Sequence, residues 1–114
     1  MIRQDLELKS VSNETVLGEF KALCRTEREQ QAKFLAYLNT IEERKLFALE
    51  GYSSLFRYLV EHFHYSEASA LKRIQVARLS RRFPKVYSLL AEGGVSLSAL
   101  ERIAPHLTQE NALT

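Results

Sequence analysis

SSLFRYLVEHFHYSEASALKRIQVARLSRRFPK, residues 53–85, contains two helix signatures and the turn between them. Within it, serines precede two runs in which apolar residues recur every three or four positions, the spacing of one helical face. The first run predicts a helix that starts at one of the two opening serines and ends near His62–His64. The second predicts a helix from Ser66 to about Arg82. A turn of about three residues joins them, so we expect a helix-turn-helix-like pair.

Upstream of this pair, the sequence predicts two more helices. One is capped by Ser12 or Asn13 and has apolar residues at one-face spacing. These residues are Val16, Leu17, Phe20 and Leu23. Thr26-Glu27-Arg28-Glu29 then matches a capping box, in which the Thr hydroxyl and the second Glu satisfy helix-start amides. We therefore expect a new, long helix over about residues 27–49, ended by Gly51 in a left-handed conformation.

Downstream, prolines and glycines punctuate shorter helices. Phe83-Pro84 predicts a boundary, because the residue before a proline disfavours helical geometry and Pro itself suits a helix start. A short helix should then run to Glu92 before Gly93-Gly94, and Ser96 should cap another. Thr108 resembles one more helix start close to the last residue. We expect either that the chain continues past Thr114 or that it ends naturally in a frayed segment.

No stretch alternates polar and apolar residues convincingly, so the prediction is an all-α domain of about five to seven helices, one of them long. A chain of 114 residues with 46% hydrophobic content has room for one modest core. Residues 1–11 show no sustained period, and we interpret them as a flexible arm. Residues 12–114 should form a single helical domain.

Composition excludes several classes of protein. The single cysteine, Cys24, allows no intrachain disulfide and no cysteine-based zinc cluster, which favours a reducing, cytoplasmic location. The first residues carry charges where a signal peptide needs an apolar run, and no stretch is long and apolar enough to cross a membrane. Catalytic groups in a recognisable arrangement, phosphate-binding loops and cofactor motifs are not evident either, so no catalytic residue, metal or cofactor is assigned.

Positive charge is concentrated in one part of the chain. Residues 66–85 contain six basic residues and one acidic residue, a local charge of +5 in a chain whose net charge is +2. Such concentration on the second helix of a helix-turn-helix-like pair suggests a polyanionic partner, with DNA the expected one. The candidate nucleic-acid-binding residues are Ser69, Lys72, Arg73, Gln75, Arg81, Arg82 and Lys85. The cations would contact phosphates, while Ser69 and Gln75 could also reach base edges.

An alternative interpretation involves no binding partner: the basic residues of this helix could simply face solvent and form ion pairs within the chain. Its helical projection places Arg78 and Arg82 near an apolar side, from which they could pair with Glu42 or Glu43 on the long helix. His62 and His64 have no partner at metal-ligand spacing, so packing or capping roles are favoured for them. The clustered aromatic residues at helical spacing are expected to be core rather than base-stacking platforms.

Several motifs together resemble the helical N-terminal region of bacterial HNH endonuclease family proteins. They are GYSSLFRYL at 51–59, YSEA at 65–68, RIQVARL at 73–79, FP at 83–84, VSLS at 95–98 and HLTQEN at 106–111. The resemblance covers roughly residues 30–112. It implies an accessory helical domain upstream of a metal-binding nuclease module that this chain does not contain, so no family catalytic residue can be transferred.

Three functions follow as hypotheses. The favoured one is a DNA-binding or positioning module that uses the basic helix. The alternative is a protein-interaction or homodimerisation module in which the long helix exposes part of its apolar stripe to a second copy. An enzymatic function rests on the family resemblance alone, through a downstream nuclease domain.

Overall fold

The structure, a computed structural model, describes residues 7–106 and contains six α-helices and no strand in that range. The helices are α1 (Asn13–Arg44), α2 (Leu46–Leu49), α3 (Leu55–Arg57), α4 (Glu67–Arg82), α5 (Lys85–Glu92) and α6 (Leu97–Ile103). A π-helical turn, Tyr58–His62, continues α3, and a 3-10 turn, Ala104–His106, follows α6. The predicted all-α fold with one long helix is confirmed. The helix start suggested at Thr108 lies outside the described residues.

Serine side chains cap four of the helices. The hydroxyls of Ser12, Ser54, Ser66 and Ser96 each accept a hydrogen bond from the backbone amide three residues later. Each such bond satisfies one of the helix-start amides that have no partner within the helix. The serine caps predicted from the sequence are therefore confirmed, and α4 begins and ends where its sequence pattern indicates.

The predicted break at Thr26 is wrong, because α1 continues through it for 32 residues. Thr26 is exposed and keeps helical geometry, and no glycine or proline lies nearby to interrupt the backbone. A capping box gains little where the helix can continue, since each further residue adds an intrahelical hydrogen bond without a new nucleation cost. The two predicted helices are thus one.

The end of α1 also differs from the expectation. Lys45 adopts the left-handed conformation at φ 51° and ends the helix, and α2 follows as a single turn. The change of direction brings Phe47 against the core. Gly51, at φ 90°, does supply a left-handed stop, but it follows α2 instead of the long helix.

Helix α4 lies at the centre of the fold and packs against α1, α3, α5 and α6. Ala70 and Ile74 are buried on one side, while Val76 and Ser80 are buried on the other. The Ser80 hydroxyl donates to the Val76 carbonyl at 2.8 Å, which satisfies this polar group inside the core. Only a narrow stripe of α4 therefore reaches the surface.

The first half of α1 lies outside this core. None of residues 13–26 is buried, and the buried positions of α1 begin at Ala32. A 32-residue helix is about 48 Å long, and the longest dimension of the described chain is 48 Å. We call residues 13–26 the projecting half of α1.

Candidate nucleic-acid interface

The exposed stripe of α4 carries polar and basic side chains at helical spacing. Gln75, Arg78 and Arg82 follow one another at intervals of three and four residues, so they lie on the same face. They line a shallow groove whose opposite wall is formed by Ala104 and Pro105 of the 3-10 turn. Two of the predicted binding residues, Gln75 and Arg82, thus share a surface.

One carboxylate on α1 contacts two of the arginines of α4. Arg78 donates from Nε and Nη2 to the Glu42 carboxylate, with an Nη2–Oε2 distance of 2.6 Å, and Arg81 donates from Nη2 to the other oxygen, Oε1. The hydrogen bond from Arg78, helped by that from Arg81 and opposed by partial burial, holds the pKa of Glu42 below its ordinary value. The same contact raises the pKa of Arg78. The predicted pairing of Arg78 with Glu42 is confirmed, whereas Arg81 takes the place expected for Arg82.

Arg81 also belongs to a partly buried hydrogen-bond network that joins three helices. Its Nε donates to Oδ1 of Asn39 at 3.2 Å, and the Asn39 amide donates to the Tyr87 hydroxyl at 2.6 Å. Asn39 is one of the few buried polar residues of the core. Because these contacts connect α1, α4 and α5, Arg81 has a structural role in addition to its charge.

Three other predicted binding residues, Ser69, Lys72 and Arg73, lie on α4 but away from its exposed stripe. Arg73 is half-buried, donates to the Ser69 carbonyl at 3.3 Å and to the Ser69 hydroxyl, and places its guanidinium 5.2 Å from the Tyr65 ring centre. Lys72 is half-buried and donates to the Ser98 hydroxyl of α6 at 3.0 Å. The structure therefore does not bring Ser69, Lys72 and Arg73 together with the exposed stripe.

Arg82 ends α4 and Lys85 begins α5. Both side chains are exposed, and within residues 7–106 neither forms an ion pair with a carboxylate. Arg82 lies over the ring of Phe83 at 5.0 Å, a contact that leaves its charge accessible. We call Gln75, Arg78, Arg81, Arg82 and Lys85 the basic surface. Arg78 was not among the predicted binding residues, although its spacing from Gln75 and Arg82 could have included it.

His62, which was considered as a metal ligand, packs against aromatic rings. His62 Nδ1 lies 3.2 Å from the Tyr52 hydroxyl, and its ring stacks on Tyr58. Burial, together with Glu50, raises the pKa of Tyr58. Between residues 7 and 106, no group of three or more histidine, cysteine or acidic side chains is arranged to hold a metal ion.

Comparison with known proteins identifies no relative: no family model matches, and no curated protein or solved structure is significantly similar. In the described part of the chain, no helix combines the length and apolar character that crossing a bilayer requires.

Proposed function

We propose that the chain is a DNA-binding or positioning module that contacts phosphates through the basic surface. One observation carries the proposal: of the four cationic side chains of this surface, Arg78 and Arg81 share one carboxylate, Glu42, whereas Arg82 and Lys85 form no ion pair within residues 7–106. The excess positive charge lies on exposed side chains, where it can meet an anionic polymer without prior rearrangement of the core.

The burial of α4 determines the kind of contact proposed. A recognition helix inserted in the major groove presents several adjacent residues to base edges. Beyond the first turn of α4, the exposed residues are Leu71, Gln75, Arg78, Arg81 and Arg82, and three of them line the groove beside the 3-10 turn. This favours contacts to the sugar-phosphate backbone, which position a protein without reading sequence.

We also propose a biological role for this DNA-binding module. The resemblance to the helical region upstream of bacterial HNH nuclease domains would make this module a cytoplasmic accessory domain that holds DNA for a nuclease domain further along the chain. The chain itself then supplies affinity, and the nuclease domain supplies the reaction. Sequencing of the reading frame beyond Thr114 tests this part directly, because a metal-binding ββα motif should follow.

DNA binding can be tested by fluorescence anisotropy with a labelled duplex. The test variant is Arg82→Glu with Lys85→Glu, since both residues are exposed and neither contributes to the Glu42 or Asn39 contacts. The control is Lys21→Glu with Arg25→Glu on the projecting half of α1, which makes the same change in charge elsewhere. The test variant should lose most binding and the control should retain it.

The number of phosphates contacted predicts how steeply the affinity for DNA should fall with salt concentration. Four cations less one carboxylate can neutralise about three phosphates, which predicts a slope of about −2.7 in log K against log salt and about a 40-fold loss of affinity between about 50 and 200 mM salt. In the test variant the slope should fall toward zero. Equal affinities for the two variants, or binding insensitive to salt, would contradict the proposal.

A further inference from the structure

Helix α1 carries a second pattern that its packing in the monomer uses only in part, through Phe34 and Ile41. One line of side chains recurs at alternating intervals of four and three residues, the a and d positions of a heptad repeat. The line consists of Val16, Phe20, Leu23, Glu27, Gln30, Phe34, Tyr37 and Ile41. We call it the seam. The buried residues of α1 are Ala32, Leu35, Leu38 and Asn39, and none of them belongs to the seam.

The seam is accessible at both ends. In the projecting half of α1, Phe20 is 60% exposed and Leu23 is 65% exposed. In the second half Tyr37 is 62% exposed, and Phe34 and Ile41 are half-buried. Isolated exposed apolar residues are common on protein surfaces, but several of them on one face of one helix are typical of an interface.

A groove runs beside the second half of the seam. Tyr65 and Phe63, from the turn between α3 and α4, face Phe34, Tyr37 and Ile41 across it. The groove is apolar around Phe63 and has a polar end near Gln30 and Arg73. Its shape and chemistry suit the apolar face of an amphipathic helix.

We propose that the occupant of this groove is the projecting half of α1 from a second copy of the chain, in a reciprocal antiparallel dimer. In this register Val16 of one protomer lies against Ile41 of its partner, and Phe20 lies against Tyr37. Each a position then meets a d position. Both the projecting half and the groove span about 14 residues, or about 21 Å of helix, so the segment and the groove match in length.

The polar middle of the seam selects the direction of the two helices. With the antiparallel register, Leu23 meets Phe34 of the partner, and Glu27 meets Gln30, whose amide can donate to the carboxylate. A parallel pair would instead place Glu27 directly against Glu27, and like charges facing each other in a helix interface are destabilising. The two-fold axis of the proposed dimer passes between residues 28 and 29, so the contact closes on itself and does not propagate into a filament.

The oligomeric state of the full chain tests the interface by sedimentation velocity or light scattering across a concentration series. The wild-type protein should be a dimer. Phe20→Glu and Tyr37→Glu should each raise the dissociation constant by more than about 100-fold, since each removes two buried aromatic contacts per dimer. The matched control is Leu49→Glu, at a residue that is 81% exposed and off the seam. A wild-type monomer at high concentration, or a control that dissociates as readily as Phe20→Glu, would overturn the proposal.

Cross-linking tests the direction of the helices independently of affinity. Cys24, the chain's only cysteine, flanks the seam and in the antiparallel register lies opposite Gln31 of the partner, about 13 Å along the axis from the partner's Cys24. With a short bis-maleimide, Gln31→Cys should give covalent dimers and the wild-type protein should not. Covalent dimers from the wild type through Cys24 alone would indicate parallel helices and refute the proposed arrangement.

Discussion

The ion pairs of Glu42 with Arg78 and Arg81 join α1 to α4, and their contribution to stability can be tested by removing the charge of Glu42. Glu42→Gln removes the charge and keeps the shape of the side chain. Glu42 is 21% exposed, Arg81 is 35% exposed and Arg78 is 60% exposed. The pair with Arg78 should therefore contribute about 0.5 kcal/mol, as exposed ion pairs do, and the partly buried pair with Arg81 about 1 kcal/mol. We expect a loss of about 1.5 kcal/mol in unfolding free energy and a fall of about 6 °C in melting temperature.

The pH dependence of this loss follows from the lowered pKa of Glu42. A carboxyl group whose pKa is lower in the folded chain than its ordinary value of 4.5 stabilises the fold above that value. This contribution disappears as the pH falls through the folded-state pKa, because the protonated group no longer attracts the arginines. Urea unfolding followed by circular dichroism should thus show a large difference between wild type and variant at neutral pH and a small one at about pH 3.

A matched control is available in the same chain. Glu61 pairs with Arg57 at 2.7 Å on an exposed helix surface, so Glu61→Gln should cost less than about 0.5 kcal/mol. The reasoning is refuted if Glu42→Gln is as stable as the wild type at neutral pH, or if its deficit is the same in acid.

Two further variants test local features of the fold. Gly93→Ala should destabilise the chain by more than about 1 kcal/mol in thermal denaturation, because φ is 82° there and an added Cβ would lie 2.9 Å from Nε of Arg28; Gly18→Ala, at a helical site with open space, should not destabilise it. Ser66→Ala should cost about 1 kcal/mol in urea denaturation through loss of the hydrogen bond from the Ser69 amide, and Ser66→Asp, which retains a capping oxygen, should restore most of it.

Much of the helical framework could be predicted because its signals are local. Ser66 and Phe83-Pro84 bound α4, and the structure places the helix over Glu67–Arg82. The capping box at Thr26 is equally local, yet it did not start a helix. A cap is decisive only where the preceding residues cannot continue the helix, and the neighbours of Thr26 are good helix formers.

The candidate site could be predicted only in part, since the direction of each cation depends on tertiary contacts. The sequence showed that the basic residues are concentrated on one helix and its exit, but only some of them share a surface in the structure. Whether Arg81 points to solvent is decided by Asn39 and Glu42, some forty residues earlier, and Lys72 is drawn to Ser98 of α6. The seam of α1 could not be predicted from the sequence either, because its period becomes evident only once α1 is known to be continuous.

The central position of α4 has a consequence for how the molecule opens. Its amide groups are enclosed by four neighbouring helices, so their hydrogens should exchange with solvent only when the whole core comes apart. None of residues 13–26 is buried within the described chain, and their amides can exchange by fraying from the first turn onward. The chain therefore combines a cooperative interior with an outer helix that can unwind and reform without disturbing it.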